Sequence, residues 1–385
     1  MISVNSSVIQ KSFTMNKGLI LIISVLSMIS SYSQNIGIGT TNPKARLHVA
    51  DSSVLFTANA VLPASPNDPP VTGPGTRMMW YADKGAFRAG GVSGALWDKA
   101  FIGNYSFAAG YNVSARGASS IAMGESSDAS GPGSIAMGLS CVTFGSQSIA
   151  IGSNCTSAST SAVSIGSDAE AVSTYSIAIG NNVSASGGYS IALGSYVSTS
   201  GFQGSLTIGD HSTTTVMNTF VANGFRSRFA GGYRLFTNSD ATVGAFLNAN
   251  ANSWAALSDV RLKENFLPVD GESFLQKIAV MPQYTWNYIG QDVKTLRHYG
   301  PMAQDFYAAF GNDALGEIGC DTMINQQDFL GVNLIAIQAL EKRTGELQKK
   351  LDTTVSLIKS YEQRIAALEE QNKLLRQLLK KGQGN

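Results

Sequence analysis

A five-residue pattern recurs through the middle of this chain at a fixed interval. SFAAG, SIAMG, SIAMG, SIAIG, AVSIG, SIAIG, SIALG and SLTIG end at Gly110, Gly124, Gly138, Gly152, Gly166, Gly180, Gly194 and Gly209, spaced by fourteen residues six times running and then by fifteen. A repeat this short cannot bury a core by itself, so its copies must stack. Within each copy the residues alternate: Ile121 and Met123 point one way, Ser120 and Ala122 the other, which is strand periodicity. The glycine that follows permits a tight turn with positive φ. Three residues later stands a second small or β-branched position: Val113, Ser127, Cys141, Cys155, Ala169, Val183 and Val197. Two short strands and two turns per fourteen residues make one coil of a β-solenoid over residues 103–210, each coil covering the edge of the last and burying a ladder of Ile, Met and Ala. Cys141 and Cys155 take the same place in consecutive coils, about 4.8 Å apart. A disulfide and a pair of stacked core thiols both fit that spacing.

The rest of the 385 residues flanks this repeat. Lys17 precedes GLILIISVLSMIS, an apolar run of signal-peptide length, and small residues follow in SYSQ. This predicts a signal peptide over 1–33, whether translation starts at Met1 or Met15, and a secreted or cell-surface mature chain from about Gln34. The run is short for a bilayer, so no membrane-spanning segment is expected in the mature chain. Residues 34–102 read as a β-rich segment with a linker. NIGIGTTNPKARLHV suggests two short strands around an Asn-Pro turn, LPASPNDPPVTGPGT a linker, and the stretch from Arg77 to Trp97 further strands. The GxG of NIGIG lacks the helix and spacing of a dinucleotide fingerprint. Residues 211–256 alternate aromatic and β-branched residues between Gly and Asn, as expected of a β-rich neck. Charged residues are only 14 % of the chain and the net charge is +1 with no basic stripe, which excludes nucleic acid as a partner. Three cysteines and three histidines lie too far apart for a metal site, and no cofactor is expected.

The C-terminus changes character. From Ile337 through Leu340, Leu347, Leu351, Ile358, Tyr361, Ile365, Leu368 and Leu375 to Leu379, apolar residues alternate by three and four, a heptad seam within about 334–380. Thr344, Thr354 and Asn372 also fall on it, Asn372 being the type of residue that fixes register at some cost in stability. Arg364 and Glu369 stand at complementary flanking positions. The heptads predict a parallel coiled coil joining chains and leave dimer and trimer open.

Between neck and heptads lies ALSDVRLKEN (Ala256–Asn265), where four charges follow a serine after a long uncharged tract. A serine hydroxyl needs a base, and an amine serves when burial or neighbouring cations depress its pKa. Ser258 and Lys263 are five residues apart, within reach across one turn, and no Ser-His-Asp set competes with them. Asp259 and Arg261 are placed to form an ion pair that shapes this turn. On spacing alone, a catalytic pair and a solvated hinge both stand.

Two resemblances bear on these segments. The repeats, from about Gly103 to Asp210, resemble the head repeats of YadA-like trimeric adhesins, which implies a left-handed parallel β-roll packed as a trimer. The outer-membrane barrel of that family has no counterpart in this helical C-terminus. ALSDVRLKENF, then HYGPMAQDFYAAFG (His298–Gly311), then GVNLIAIQALEKRTGELQ (Gly331–Gln348) are similar to the intramolecular chaperone auto-processing domain of phage endosialidase tailspikes and tail fibres. That resemblance implies an α+β chaperone domain over 257–385 that trimerises the stalk and cuts itself off through a Ser-Lys dyad. Ser258 would be the nucleophile and Lys263 the general base. The scissile bond would be Leu257–Ser258, with Ser258–Asp259 as the alternative. Gly300 and Gln304 match a second block and read as structural, Gly300 suiting a tight turn and Gln304 either a hydrogen bond near the motif or a purely fold-keeping role. The expected whole is mainly β with a C-terminal α region: a homotrimeric fibre, with an unknown extracellular ligand at its head, whose last domain is a single-turnover serine endopeptidase or a cap that stays attached. Glycosidase chemistry is excluded from the repeats by their few carboxylates, Glu125, Asp128, Asp168 and Glu170.

Overall fold

The computed structural model describes residues 35–382. The predicted signal peptide lies outside the described residues. The chain divides into two compact units, Met1–Ala230 and Gly231–Asn385.

The first unit is a β-solenoid. Strands Phe107–Tyr111, Ile121–Glu125, Ile135–Leu139 and Ile149–Ser153 pair in parallel, and their glycines stack in register, Gly110 on Gly124, Gly138 and Gly152, then on Gly166, Gly180, Gly194 and Gly209. These glycines are required by contact as well as by conformation. Gly180 has φ +140, and a Cβ on it would lie 1.8 Å from the carbonyl oxygen of Gly194. Two left-handed corners turn each coil: Asn154, Asp168 and Asn182 with φ 51–54 at one, Ser161, Tyr175 and Tyr189 with φ 55–57 at the other. Parallel pairing runs on past the end of the fourteen-residue period, as Leu206–Gly209 pairs with Phe225–Arg228. There Arg228 Nε lies 3.2 Å from Asp210 Oδ1. Asp210 Oδ2 also accepts from the backbone N–H of Ala230, which with the Ser212 hydroxyl lowers its pKa to about 2.

The interior of the coils differs from the expectation drawn from alternation. Ala108, Ala122, Ala136, Ala150, Ala178 and Ala192 are fully buried, and so are Ser120, Ser134, Ser148, Ser176 and Ser190. The side chains of Ile121, Met123, Ile135, Met137, Ile149 and Ile151 face outward and are half-buried, stacked in two adjacent columns. The physical reason is width: a coil of fourteen residues encloses room for Ala and Ser, not for two opposed isoleucines. Most of its hydroxyls are satisfied internally, Ser120 Oγ donating to Gly117 O at 2.7 Å and Thr143 Oγ1 to Ser134 Oγ at 2.8 Å, while Ser114 Oγ is buried without a partner. Cys141 and Cys155 are free buried thiols, donating at 3.3 Å to the carbonyls of Gly152 and Gly166.

An antiparallel hairpin, Gly75–Tyr81 with Ala86–Val92, closes the first coil, its second strand pairing in parallel with Phe107–Tyr111. Arg88 of this hairpin is fully buried and donates to Ser106 O, Ser106 Oγ and Ala115 O at 2.8–3.1 Å; burial lowers its pKa to about 10. Trp97 is also fully buried and donates to Val113 O at 2.9 Å. Both cap the open end of the stack, as solenoids require. Ahead of them Ile36–Ile38 pairs in parallel with Leu47–Val49.

The second unit begins with a three-stranded antiparallel sheet, Gly232–Phe236, Gly244–Asn248 and Ala255–Ala256. Helix α1 (Gly271–Val280), helix α2 (Ala303–Phe310) and the start of helix α3 (Gln326–Gly382) share a small core of Phe306, Phe310 and Val332 with Phe274, Ile278 and Phe329. The hairpin Tyr284–Trp286 with His298–Gly300 completes the unit. Beyond Glu346 the long helix α3 is exposed on every side. Among the described residues no helix is long and apolar enough to cross a membrane.

Candidate active site

The last strand of the three-stranded sheet ends at Ala256, paired with Ala245. Leu257 follows, 42 % exposed, and then Ser258. Asp259 caps a short 3₁₀ turn, Val260–Leu262, by accepting the backbone N–H of Arg261 at 2.9 Å. Its carboxylate also takes the Arg261 Nε, 3.0 Å from each oxygen. These two donors, the guanidinium first, hold the Asp259 carboxyl below its usual pKa, and Asp259 in turn raises that of Arg261. Leu262 N–H closes on Asp259 O at 3.0 Å and Lys263 N–H on Val260 O at 3.2 Å.

The turn reverses the chain and sets Lys263 Nζ 2.7 Å from Ser258 Oγ. Hydroxyl and amine are thus within hydrogen-bond reach, the geometry that an amine-assisted serine would need. Both side chains are exposed in the single chain. Exposed too are the apolar residues beside them, Val260 (67 %), Leu262 and Phe266. The turn therefore presents the dyad within an uncovered apolar rim.

Of the six motif residues expected around the site, Ser258, Lys263, Asp259 and Arg261 come together, and Gly300 and Gln304 stand elsewhere in the unit. Gly300 ends the strand His298–Gly300 with φ +146, and a Cβ on it would touch nothing, so the conformation and not the space calls for glycine. Gln304 is exposed on α2 and lines a cleft of about 690 Å³ with Trp286, Tyr288, Met302 and Met323. It makes no hydrogen bond to the Ser258 turn. The second block thus builds this hairpin and cleft. Among the described residues no group of three or more His, Cys, Asp or Glu could hold a metal ion.

Comparison with known families matches the two units separately. Residues 258–315 match the family model described as chaperone of endosialidase. Residues 115–140 and 158–182 match two copies of the YadA head domain repeat. A search of curated proteins returned no match. The chain is thus similar to YadA heads over parts of its repeats and to the chaperone of endosialidase over residues 258–315.

Proposed function

We propose that this chain is an exported, trimeric, fibre-like surface protein with an adhesin-like head, whose residues 257–385 align three copies and then cut themselves off at Leu257–Ser258. The observation that carries the cleavage is the 2.7 Å approach of Lys263 Nζ to Ser258 Oγ one residue beyond the scissile bond. Ser258 Oγ adds to the Leu257 carbonyl carbon as its proton passes to Lys263 Nζ. The C–N bond to Ser258 then breaks, and its nitrogen takes a proton and leaves as a free α-amine. Leu257 is left as an ester on Ser258 Oγ, which water hydrolyses to a Leu257 carboxylate and the restored hydroxyl. Removal of water favours a neutral amine, and covering the apolar rim in an assembly would supply it.

Two faces support assembly from identical copies. The outward Ile and Met columns leave an apolar sheet face along the solenoid, over an interior too small to bury them. On α3, ten seam side chains from Ile337 to Leu379 are each about half exposed. Together they offer on the order of 1,000 Å² per copy, enough for a standard interface of about 800 Å² per partner. The cut itself costs little structure, since the strand preceding it ends at Ala256.

The test is a denaturing gel with mass spectrometry of the secreted protein. A Ser258–Asn385 fragment is expected from the native chain and from neither Ser258→Ala nor Lys263→Met. Periodate oxidation places the cut, because only a new N-terminal serine carries the vicinal amino alcohol it cleaves. Full-length protein persisting in assembled native trimers would refute self-cleavage and leave the C-terminal domain as a permanent cap.

A further inference from the structure

The long helix carries a feature that assembly alone does not explain. Its seam holds three polar positions, Thr344, Thr354 and Asn372. Thr354 Oγ1 already donates to Lys350 O at 2.8 Å, so it enters a seam satisfied by its own helix and is indifferent to what it faces. Thr344, next to Gly345, has the same option through a change of rotamer. Asn372 does not. Its amide carries two donors and an acceptor with two lone pairs, and it makes no hydrogen bond within its own chain. Around it stand Leu368, Leu375 and Leu379, 51–64 % exposed and bound for the same seam. Once the seam closes, this amide finds a partner only in another Asn372 at the same level.

We infer that Asn372 is the register gauge of the assembly: its partner is the Asn372 of the other copies, and their pairing sets how three chains align. This rests on the proposed assembly through α3. A slip of one heptad would seat each amide against Ile365 or Leu379, burying it unpaired. The flanking charges do little of this work. Arg364 meets Glu369 when the chains are in register; a one-heptad slip exchanges this for Glu362 on one side and Arg376 on the other, a solvent-exposed repulsion that opposes the slip only weakly. The head does as little. One heptad is an offset of about 10.5 Å, close to two coil rungs at about 4.8 Å each, and the rungs are chemically alike. Among these features, the asparagine layer discriminates most strongly.

The experiment uses the full chain with Cys320→Ser, co-assembled from Leu368→Cys and Leu375→Cys copies and oxidised. In-register chains give 368–368 and 375–375 cross-links, and a one-heptad slip gives 368–375. The mixed product should be scarce with Asn372 and should rise about tenfold relative to the others in Asn372→Leu, the ratio that about 1.4 kcal/mol makes. The Asn372→Leu assembly should also melt higher, because a buried amide is a cost that leucine removes. A mixed fraction unchanged by Asn372→Leu, in a protein that still sediments as a trimer, overturns the gauge and spares the assembly. A chain that stays monomeric at micromolar concentration overturns both.

Discussion

Substituting Ile179 by serine tests which face of the solenoid is covered. Ile179 lies on the outward column of its coil, paired with Ile165 on one side and Leu193 on the other. It is 39 % exposed in the single chain. That leaves on the order of 70 Å² of mostly apolar surface, and covering it at about 25 cal/mol per Å² is worth about 1.7 kcal/mol per copy, or about 5 kcal/mol per trimer. A solvated position would lose only the contacts with its two column neighbours, about 1 kcal/mol or less. Ser184, near the polar end of the same strand Ile177–Ala185, provides the control as Ser184→Ala. Thermal unfolding at several protein concentrations, followed by sedimentation, separates the cases. Ile179→Ser should lower the midpoint in a concentration-dependent way and shift trimer toward monomer. A fall of under about 1 kcal/mol, with association unchanged, would refute the claim that the Ile and Met columns lie between copies.

Two further outcomes follow from single contacts. Gly152 has φ +128, and a Cβ on it would lie 1.9 Å from Gly166 O, so Gly152→Ala should block coil stacking. Its check is loss of soluble full-length fibre, with the C-terminal unit still helical by circular dichroism. Asp210 has its folded pKa lowered to about 2 by the Ala230 N–H and its other donors. Because the carboxyl is depressed below its ordinary 3.8, its contribution is complete above that value and is lost as pH falls from about 4 to 2. Amide exchange at Arg228 and Ala230 should quicken over that window in the native protein and show no such step in Asp210→Asn.

Much of the fold is legible in the period itself. A glycine every fourteen residues with alternation before it specifies parallel rungs and two corners per coil, and the glycine register follows residue for residue. Alternation, however, separates two faces without saying which is inside. The usual rule puts Ile and Met in the core, and here it fails because the coil is too narrow. The interior volume that decided the matter is a property of the closed coil, not of any one strand. Arg88 was illegible for a related reason: a lone arginine in FRAGG reads as a surface residue, and only the open end of the stack makes it a cap. At the site, the five-residue spacing made contact between Ser258 and Lys263 feasible, and the Asp259 cap is what realises it. Gln304 was placed near the dyad by its block in the sequence, whereas its helix faces the Trp286 hairpin.

The same narrowness explains why such a chain would carry a detachable aligner. A coil lined by Ala and Ser buries little apolar surface of its own, so most of the driving force resides in the outward columns and would be realised between copies. Those columns are the least discriminating part of the molecule, because adjacent rungs offer nearly the same Ile and Met pair. In the proposed assembly, stability and register would therefore be carried by different segments. The head would provide the area, and a seam with one unpartnered amide the alignment. Once three heads are wound together, the aligner adds nothing to their contacts. The proposed cut after Leu257 would then remove it where no strand pair is lost, and the wound head could not use it again to exchange or slip. The dyad lies at that bond with its apolar rim uncovered in the single chain, which ties the chemistry to the assembly that would cover it.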